Sequence, residues 1–271
     1  MYIIKFGGSV ITDKRKENCF KQEVVNNLAK EIKKSKKDTI IIHGAGSFGH
    51  IIADKYNLNE GHQYEDQLHG FSLTQGTVQK LNSLVLDVLH NNGISAVSIP
   101  PHTILKLNNH NPLSFDHIIF RDYLDKGFTP VTFGDVVLDK KLGFSICSGD
   151  LLMQLLAEHL KPEKIIFIID EDGLFTSNPK IDTNAELIES TTIDQLNRYT
   201  AHKDKHADVT GGMQGKIEAI KNIAKLGIDT ILLNGNKPNR LFKVLIGKNT
   251  TSTNISGGHK GILLKVEKMN M

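Results

Sequence analysis

Short apolar runs alternate with amphipathic helical patterns along most of the 271-residue chain. The runs "YIIKF" (2–6), "TIIIH" (39–43) and "KIIFIID" (164–170) have the length and the isoleucine content of strands buried on both faces. Between them, patterns such as "VVNNLAKEIKK" place apolar residues at helical spacing. Because parallel strands need long, usually helical crossovers, this alternation predicts an α/β fold whose mostly parallel central sheet is sandwiched by helices.

The same patterns predict how the chain is divided. Further strands are predicted at 94–99, 129–133 and 229–234, and further helices at 75–90, 150–160 and 216–227. No linker and no internal repeat is visible, although residues 171–210 are more polar and rich in turns. We therefore expect one domain over 1–271 with two lobes on one continuous sheet, an N-lobe of about 1–160 and a C-lobe of about 161–271.

Composition excludes several classes of protein. The net charge of +3 gives no nucleic-acid footprint, and the apolar fraction of 39% is ordinary for a globular protein. Two distant cysteines are too few for a disulfide scaffold, which favours a reducing compartment. No apolar run approaches the roughly 20 residues of a membrane span, and the first residues do not resemble a signal peptide. A cytoplasmic location is the expectation.

Three glycine-rich segments are the strongest indication of function. They are "KFGGS" (5–9), "HGAGSFGH" (43–50) and "DVTGGMQGK" (208–216), the last of which opens a helix. Glycine lets backbone N–H groups approach a ligand, and successive N–H groups or a helix N-terminus attract anions. One such segment is often only a tight turn. Three in one chain indicate a site for several phosphates.

Charged residues flank these segments. Lys5 precedes the first, and Lys14 follows it within a basic run. Lys216 lies about one turn after Gly211 and Gly212, in the helix that these glycines open, where it can reach back over an anion. Asp150 opens a predicted helix and is either an organiser of the lysines or an ordinary helix-terminal acid. Asp170 and Asp172 flank the turn "DEDG" and are either turn formers or nucleotide-site residues, and Asp135 in "TFGDVVLD" is similarly placed after a strand.

Two other nucleotide-binding patterns are not fulfilled by the sequence. "GAGSFG" matches the G-x-G-x-x-G dinucleotide fingerprint, but no second strand follows within residues 51–66, as that fingerprint requires. The G-x-x-x-x-G-K-[ST] pattern of P-loop enzymes is absent.

The order of the motifs resembles the amino acid kinase superfamily. The resemblance rests on K-x-G-G-S, "GAGSFGH", "GDVVLD…SGD", "DEDGLF…NP" and "DVTGGM…K", and it spans nearly the whole chain. Within the superfamily, "GGSVIT", "GAGSFGH" and "DVTGGM" most resemble the isopentenyl phosphate kinase family, with fosfomycin kinase as a close sibling. Asn178 before Pro179 departs from the usual acid, and "GKNTTSTNISGG" lacks a clean Gly-Thr element. These departures concern the contacts to the nucleotide base and not the transfer site.

The resemblance implies an enzyme, a function and a set of site residues. The N-lobe would bind isopentenyl phosphate and the C-lobe Mg²⁺-bound ATP, and the phosphotransferase would form isopentenyl diphosphate for isoprenoid (mevalonate) biosynthesis. A homodimer is also implied, without a dedicated protein metal site and without nucleic-acid or membrane partners. The implied catalytic residues are Lys5, Lys14, His50, Asp150 and Lys216. The implied acceptor site consists of Gly8, Ser9, Gly44, Ala45, Gly46, Gly49 and His50. The implied ATP site consists of Lys5, Gly7, Gly8, Asp170, Asp172, Gly173, Phe175, Gly211, Gly212 and Lys216.

The residues themselves agree with this chemistry. Phosphoryl transfer needs positioning and charge neutralisation more than covalent help from the protein, and a phosphate acceptor needs no general base. His50 would donate a hydrogen bond to the acceptor phosphate, or else it only packs or caps a helix. Phe71, Thr74 and Val78 recur at helical spacing and would line a slot for the acceptor's apolar tail, unless they are ordinary core. The alternatives are a fosfomycin-type or other small phosphonate, phosphate or carboxylate kinase, and a non-catalytic nucleotide-binding regulator.

Overall fold

A computed structural model describes residues 1–13, 16–199 and 212–258 of the chain. Within these ranges strands and helices alternate as the sequence predicts. The strands are β1 (Tyr2–Phe6), β2 (Thr39–His43), β3 (Ala96–Ser98), β4 (Leu105–Asn108), β5 (Asn111–Phe115), β6 (Thr129–Phe133), β7 (Asp135–Asp139), β8 (Gly143–Cys147), β9 (Lys164–Ile169), β10 (Leu174–Phe175), β11 (Leu187–Ile188), β12 (Ser190–Thr191), β13 (Thr230–Asn234) and β14 (Thr253–Ile255). The helices are α1 (Gly8–Ile11), α2 (Gln22–Ser35), α3 (Gly46–Lys55), α4 (Asp66–Asn91), α5 (Pro101–Ile104), α6 (Ile118–Asp125), α7 (Gly149–Leu160), α8 (Ile193–Tyr199), α9 (Gly212–Lys225) and α10 (Arg240–Leu245).

A sheet of eight described strands forms the centre of the molecule, in the order β12-β14-β13-β9-β1-β2-β6-β3. Every neighbouring pair is parallel except β13 with β14. The predicted fold class is therefore confirmed, and β1, β2 and β6 begin and end where the sequence places them. The helix predicted at 75–90 is longer, because α4 begins nine residues earlier, at Asp66.

Strand side chains alternate between two cores, one on each face of the sheet. Ile40 and Ile42 of β2 pack with α7 and α9 residues on one face. Ile41 packs with residues of α2, α4 and α10 on the other. Because both faces are covered, these strands carry nearly continuous apolar residues, and these apolar runs identify the strands in the sequence. No described helix is both long and apolar enough to cross a membrane.

A separate sheet, which the sequence analysis did not predict, has the strand order β5-β4-β7-β8. The Asp139 carboxylate, at the end of β7, connects the two turns of this sheet. It accepts N–H hydrogen bonds from Asn109 and His110 (2.8 and 2.9 Å) and from Lys141 and Leu142 (3.0 Å each). Although burial opposes ionisation, these donors hold the pKa of Asp139 well below its usual range. This sheet supplies Val136 and Ile146 to the site described next.

Candidate active site

The loops that follow the central parallel strands meet at one edge of the sheet. β1, β2, β6 and β9 run in the same direction, so the loops that follow them share that edge. A cavity of about 360 Å³ lies there. The predicted site residues that line it are Lys5, Gly7, Gly8, Ser9, Gly44, Ala45, Gly46, Gly49, His50, Asp150, Asp170 and Lys216. The fold thus brings together most of the residues that the sequence analysis selected.

The first two glycine segments touch each other through their backbones. A Cβ atom on Gly8 would lie 2.9 Å from the Cα and N atoms of Gly46, and one on Gly44 would lie 2.9 Å from the Gly8 N atom. Gly46 also has a φ of +51°, which favours glycine. Close backbone contact, and not only approach to a ligand, therefore requires these glycines.

Asp150 joins two of the predicted lysines. The Lys5 Nζ hydrogen-bonds the Asp150 Oδ1 atom, and the Lys216 Nζ lies 3.8 Å from the Asp150 Oδ2 atom. The three side chains are 8%, 10% and 14% exposed for Lys5, Asp150 and Lys216. Such buried charges are tolerated only when paired. The geometry fits the prediction that Asp150 organises the lysines.

Local sequence explains how Asp150 reaches this position. Helix α7 begins at Gly149, and the Ser148 side chain caps it by accepting the Leu151 N–H at 3.1 Å. A Cβ on Gly149 would lie 3.0 Å from the Lys5 Cε atom, so glycine makes room for the lysine. Asp150 then lies in the first helical turn, beside the end of β1.

The third glycine segment is described only in part. Gly212 begins α9, and Lys216 follows one turn later, as predicted. Lys14 and Gly211 lie outside the described residues, so their assignments stay predictions.

His50 lies inside α3, four residues after Gly46, and not in the glycine loop itself. It is half-buried and lines the cavity. The residue that ends β2, His43, was given no role by the sequence analysis. Burial lowers the pKa of His43 to about 4, and its ring contacts the Gly44 carbonyl (3.1 Å) and the Asn82 Oδ1 atom (3.2 Å). His43 is therefore neutral and structural, whereas His50 faces the cavity.

Part of the cavity lining is apolar. Ala53, Val78, Val136, Ile146 and the side chain of Thr74 line the cavity. Phe71 does not: its ring packs against Phe144, with 5.2 Å between ring centroids. The predicted stripe on α4 is therefore divided between the cavity and a small satellite core.

The nucleotide-side predictions are only partly brought together. Asp170 lines the cavity, whereas Asp172, Gly173 and Phe175 are not among the lining residues. Asp172 instead accepts hydrogen bonds from Arg240 (2.7 and 3.3 Å) and from the Asn234 side chain (2.9 Å). The Arg240 hydrogen bond, above all, lowers the pKa of Asp172. The ATP contacts of Asp172, Gly173 and Phe175 stay predictions.

The cavity is also lined by Lys180 and Gly134, which the sequence does not predict as site residues. Lys180 lies 2.9 Å from the Glu171 carboxylate and 3.8 Å from that of Asp170. Gly134 follows β6 as the glycine segments follow β1 and β2, and this repetition was the available signal. Asp135, the candidate acid after β6, lines the cavity as well; burial raises its pKa, and its Oδ2 atom lies 2.7 Å from the His102 ring. The structure thus adds one cation and one glycine to the predicted set.

A parallel sheet with anion-binding loops and paired lysines at one edge defines a phosphotransfer class of site. The family model "Amino acid kinase family" matches residues 1–234 of the chain. This match includes all of the predicted site residues and ends at residue 234, inside the expected C-lobe.

The relatives define the family more narrowly. An isopentenyl phosphate kinase from Methanothermobacter thermautotrophicus is 38% identical, and the match covers 96% of this chain and 100% of the relative. The isopentenyl phosphate kinase from Methanocaldococcus jannaschii is 32% identical over 91% and 95%. A solved isopentenyl phosphate kinase structure superposes with a TM-score of 0.83 at 35% identity, covering 94% of this chain and 100% of the other. The chain belongs to the amino acid kinase family and, within it, to the isopentenyl phosphate kinases.

Proposed function

We propose that the chain transfers the γ-phosphoryl group of ATP to isopentenyl phosphate, giving ADP and isopentenyl diphosphate. The observation that carries the proposal is the placement of Lys5 and Lys216 on one buried carboxylate, that of Asp150. This cationic group and the glycine segments line the same cavity as the apolar side chains of Val78, Val136 and Ile146. An anionic head with a short hydrocarbon tail matches both parts of this lining.

The proposed reaction is one in-line displacement. An oxygen of the acceptor phosphate bonds to the γ-phosphorus while the bond to the β,γ-bridging oxygen breaks, and that oxygen leaves on ADP. The acceptor oxygen is already anionic, so no side chain has to remove a proton. Lys5 and Lys216 would neutralise the charge on the transferred group, and Lys14 would join them.

Mg²⁺ would arrive with ATP and take most of its ligands from phosphate oxygens and water. The carboxylate of Asp170, at the cavity wall, is available as a further ligand. Bound Mg²⁺ would offset the charge of the β- and γ-phosphates.

The two lobes would divide the substrates. The acceptor phosphate would lie against residues 44–50, which run from the loop after β2 to His50 of α3, and the acceptor tail against Thr74, Val78 and Ile146. ATP would approach from the side of Asp170 and α9, with its phosphates over Gly7 and Gly8. The transferred phosphoryl group would then lie between Lys5 and Lys216.

A comparison of acceptors tests this function. ADP release is measured with Mg-ATP and equal concentrations of isopentenyl phosphate, dimethylallyl phosphate, fosfomycin or N-acetylglutamate. We expect the highest kcat/KM with isopentenyl phosphate. A preference for fosfomycin or N-acetylglutamate would contradict isopentenyl phosphate as the acceptor but would agree with the assignment of the transfer site. ATP binding without turnover of any acceptor would favour the regulator alternative.

His50→Ala is expected to raise the KM for isopentenyl phosphate about tenfold while the KM for ATP changes little. A hydrogen bond from His50 to the acceptor phosphate is charge-assisted, and loss of such a bond costs about 1.5–3 kcal/mol. Steady-state kinetics with each substrate varied in turn measure both constants. His69→Ala is the matched control, because His69 is exposed and does not line the cavity. A normal acceptor KM with weakened ATP binding would show that His50 contacts ATP and not the acceptor, which would contradict the assignment.

A further inference from the structure

Thr12 has no assigned role, yet its hydroxyl connects the first two glycine segments. The Thr12 Oγ1 atom donates a hydrogen bond to the Gly8 carbonyl oxygen (2.7 Å) and accepts one from the Ser47 N–H (3.0 Å). Gly8 belongs to the first segment and Ser47 to the second, 35 residues beyond Thr12. One oxygen atom therefore joins both phosphate-binding loops.

Thr12 is fixed in place from its other side as well. It is fully buried, its backbone N–H donates to the same Gly8 carbonyl at 2.9 Å, and it forms an isolated antiparallel bridge with Phe20. Gly46 also abuts the Thr12 side chain, so that a Cβ atom there would collide with the hydroxyl and the methyl group. The hydroxyl therefore has little freedom to rotate or to exchange its partners for water.

We propose that Thr12 is a positioning residue that sets the distance between the donor and acceptor phosphates. The inference rests on the proposed function, in which Gly7 and Gly8 hold the ATP phosphates and residues 44–50 hold the acceptor. Thr12 binds neither ligand and acts through the Gly8 carbonyl and the Ser47 N–H. Because in-line transfer depends on the approach of two bound groups, a small change in loop separation slows the chemical step.

This role predicts a particular kinetic pattern. Each loop can still bind its own phosphate when the hydroxyl is lost, so the affinity for each substrate alone changes little. Only the distance between the two bound substrates changes, and this distance matters when both are bound. The effect therefore falls on kcat, whereas a residue that contacts a ligand would change its KM.

The test compares Thr12→Val, which keeps the shape and removes the hydroxyl, with Thr12→Ser, which keeps the hydroxyl. We expect Thr12→Val to lower kcat by about 10- to 100-fold, with both KM values within about threefold of wild type. Thr12→Ser should restore kcat to within about threefold. Thr77→Val is the matched control, because the Thr77 hydroxyl donates to the Phe48 carbonyl of α3 (2.7 Å) but Thr77 does not line the cavity. Circular dichroism checks that each variant is folded, and Thr12→Ala, which leaves room for a water molecule, replaces a valine variant that does not fold.

Calorimetry with isopentenyl phosphate alone and with a non-hydrolysable ATP analogue alone completes the test. Near-normal binding of each ligand to Thr12→Val, together with the lowered kcat, supports the proposal. A kcat within twofold of wild type in folded Thr12→Val, or an equal loss in Thr12→Ser, overturns it. The proposed function is judged separately by wild-type turnover of isopentenyl phosphate. If the wild-type chain prefers another acceptor, the kcat and KM values of each variant are compared with those of wild type for that acceptor.

Discussion

Lys216→Ala is expected to lower kcat by about a thousandfold and to leave the chain folded. The Lys216 ammonium lies beside the cavity at the start of α9, where it would meet the charge that develops on the transferred phosphoryl group. Removing one such preorganised group typically costs about 10²- to 10³-fold in kcat. The side chain is 14% exposed, so its loss removes charge from a site that is largely shielded from water. Stopped assays of ADP formation at saturating Mg-ATP and acceptor measure the effect.

The matched control is Lys225→Ala, in the last turn of the same helix. The Lys225 side chain is exposed and donates to the Asn222 side chain at 3.1 Å, away from the cavity. We expect its kcat to stay within about twofold of wild type. A kcat for Lys216→Ala within threefold of wild type, with circular dichroism unchanged, would contradict the transfer-site assignment.

Asp150→Asn is expected to be at least as damaging, because it acts on two lysines together. The substitution keeps the size of the side chain and removes the charge that holds Lys5 and Lys216. We expect kcat to fall by about a thousandfold or more, by the electrostatic argument used for Lys216. The free energy of unfolding should fall by about 3 kcal/mol, the usual cost of breaking a buried ion pair by removing one partner. Steady-state kinetics and urea unfolding measure the two effects separately.

The pair of variants also tests whether the three residues act as one unit. Groups that act as a unit are strongly non-additive, so the double variant Asp150→Asn/Lys216→Ala should be little slower than the slower single variant. Glu158→Gln, an exposed acid on the same helix α7, is the control and should leave kcat unchanged. If the fold loss in kcat of the double variant equals the product of the two single losses, Asp150 and Lys216 act independently.

The meeting of the first two glycine segments was predictable because it follows from strand direction. They follow β1 and β2, two parallel neighbours whose carboxyl ends share one edge. β1 and β2 also have the bounds that the sequence predicts, because burial on both faces leaves a strong pattern. Asp150 instead follows β8 of the separate sheet, so its contact with Lys5, 145 residues away, depends on how the two sheets pack.

The missed features depend on contacts that no local pattern carries. β5 has four exposed residues out of five and only a weak strand signal, so its sheet was not visible in the sequence. The hydrogen-bond partner of Asp172, Arg240, lies 68 residues further along. On α4, helical spacing identifies an apolar stripe but cannot say that Val78 faces the cavity and Phe71 faces Phe144. Such choices are made by tertiary packing.

The most direct test of the account is ³¹P NMR of the reaction of the wild-type chain with Mg-ATP and isopentenyl phosphate. The account predicts that the acceptor's single phosphate resonance is replaced by the two coupled resonances of a diphosphate monoester, with one equivalent of ADP formed. ADP appearing together with inorganic phosphate, while the acceptor resonance persists, would contradict direct transfer to the acceptor phosphate.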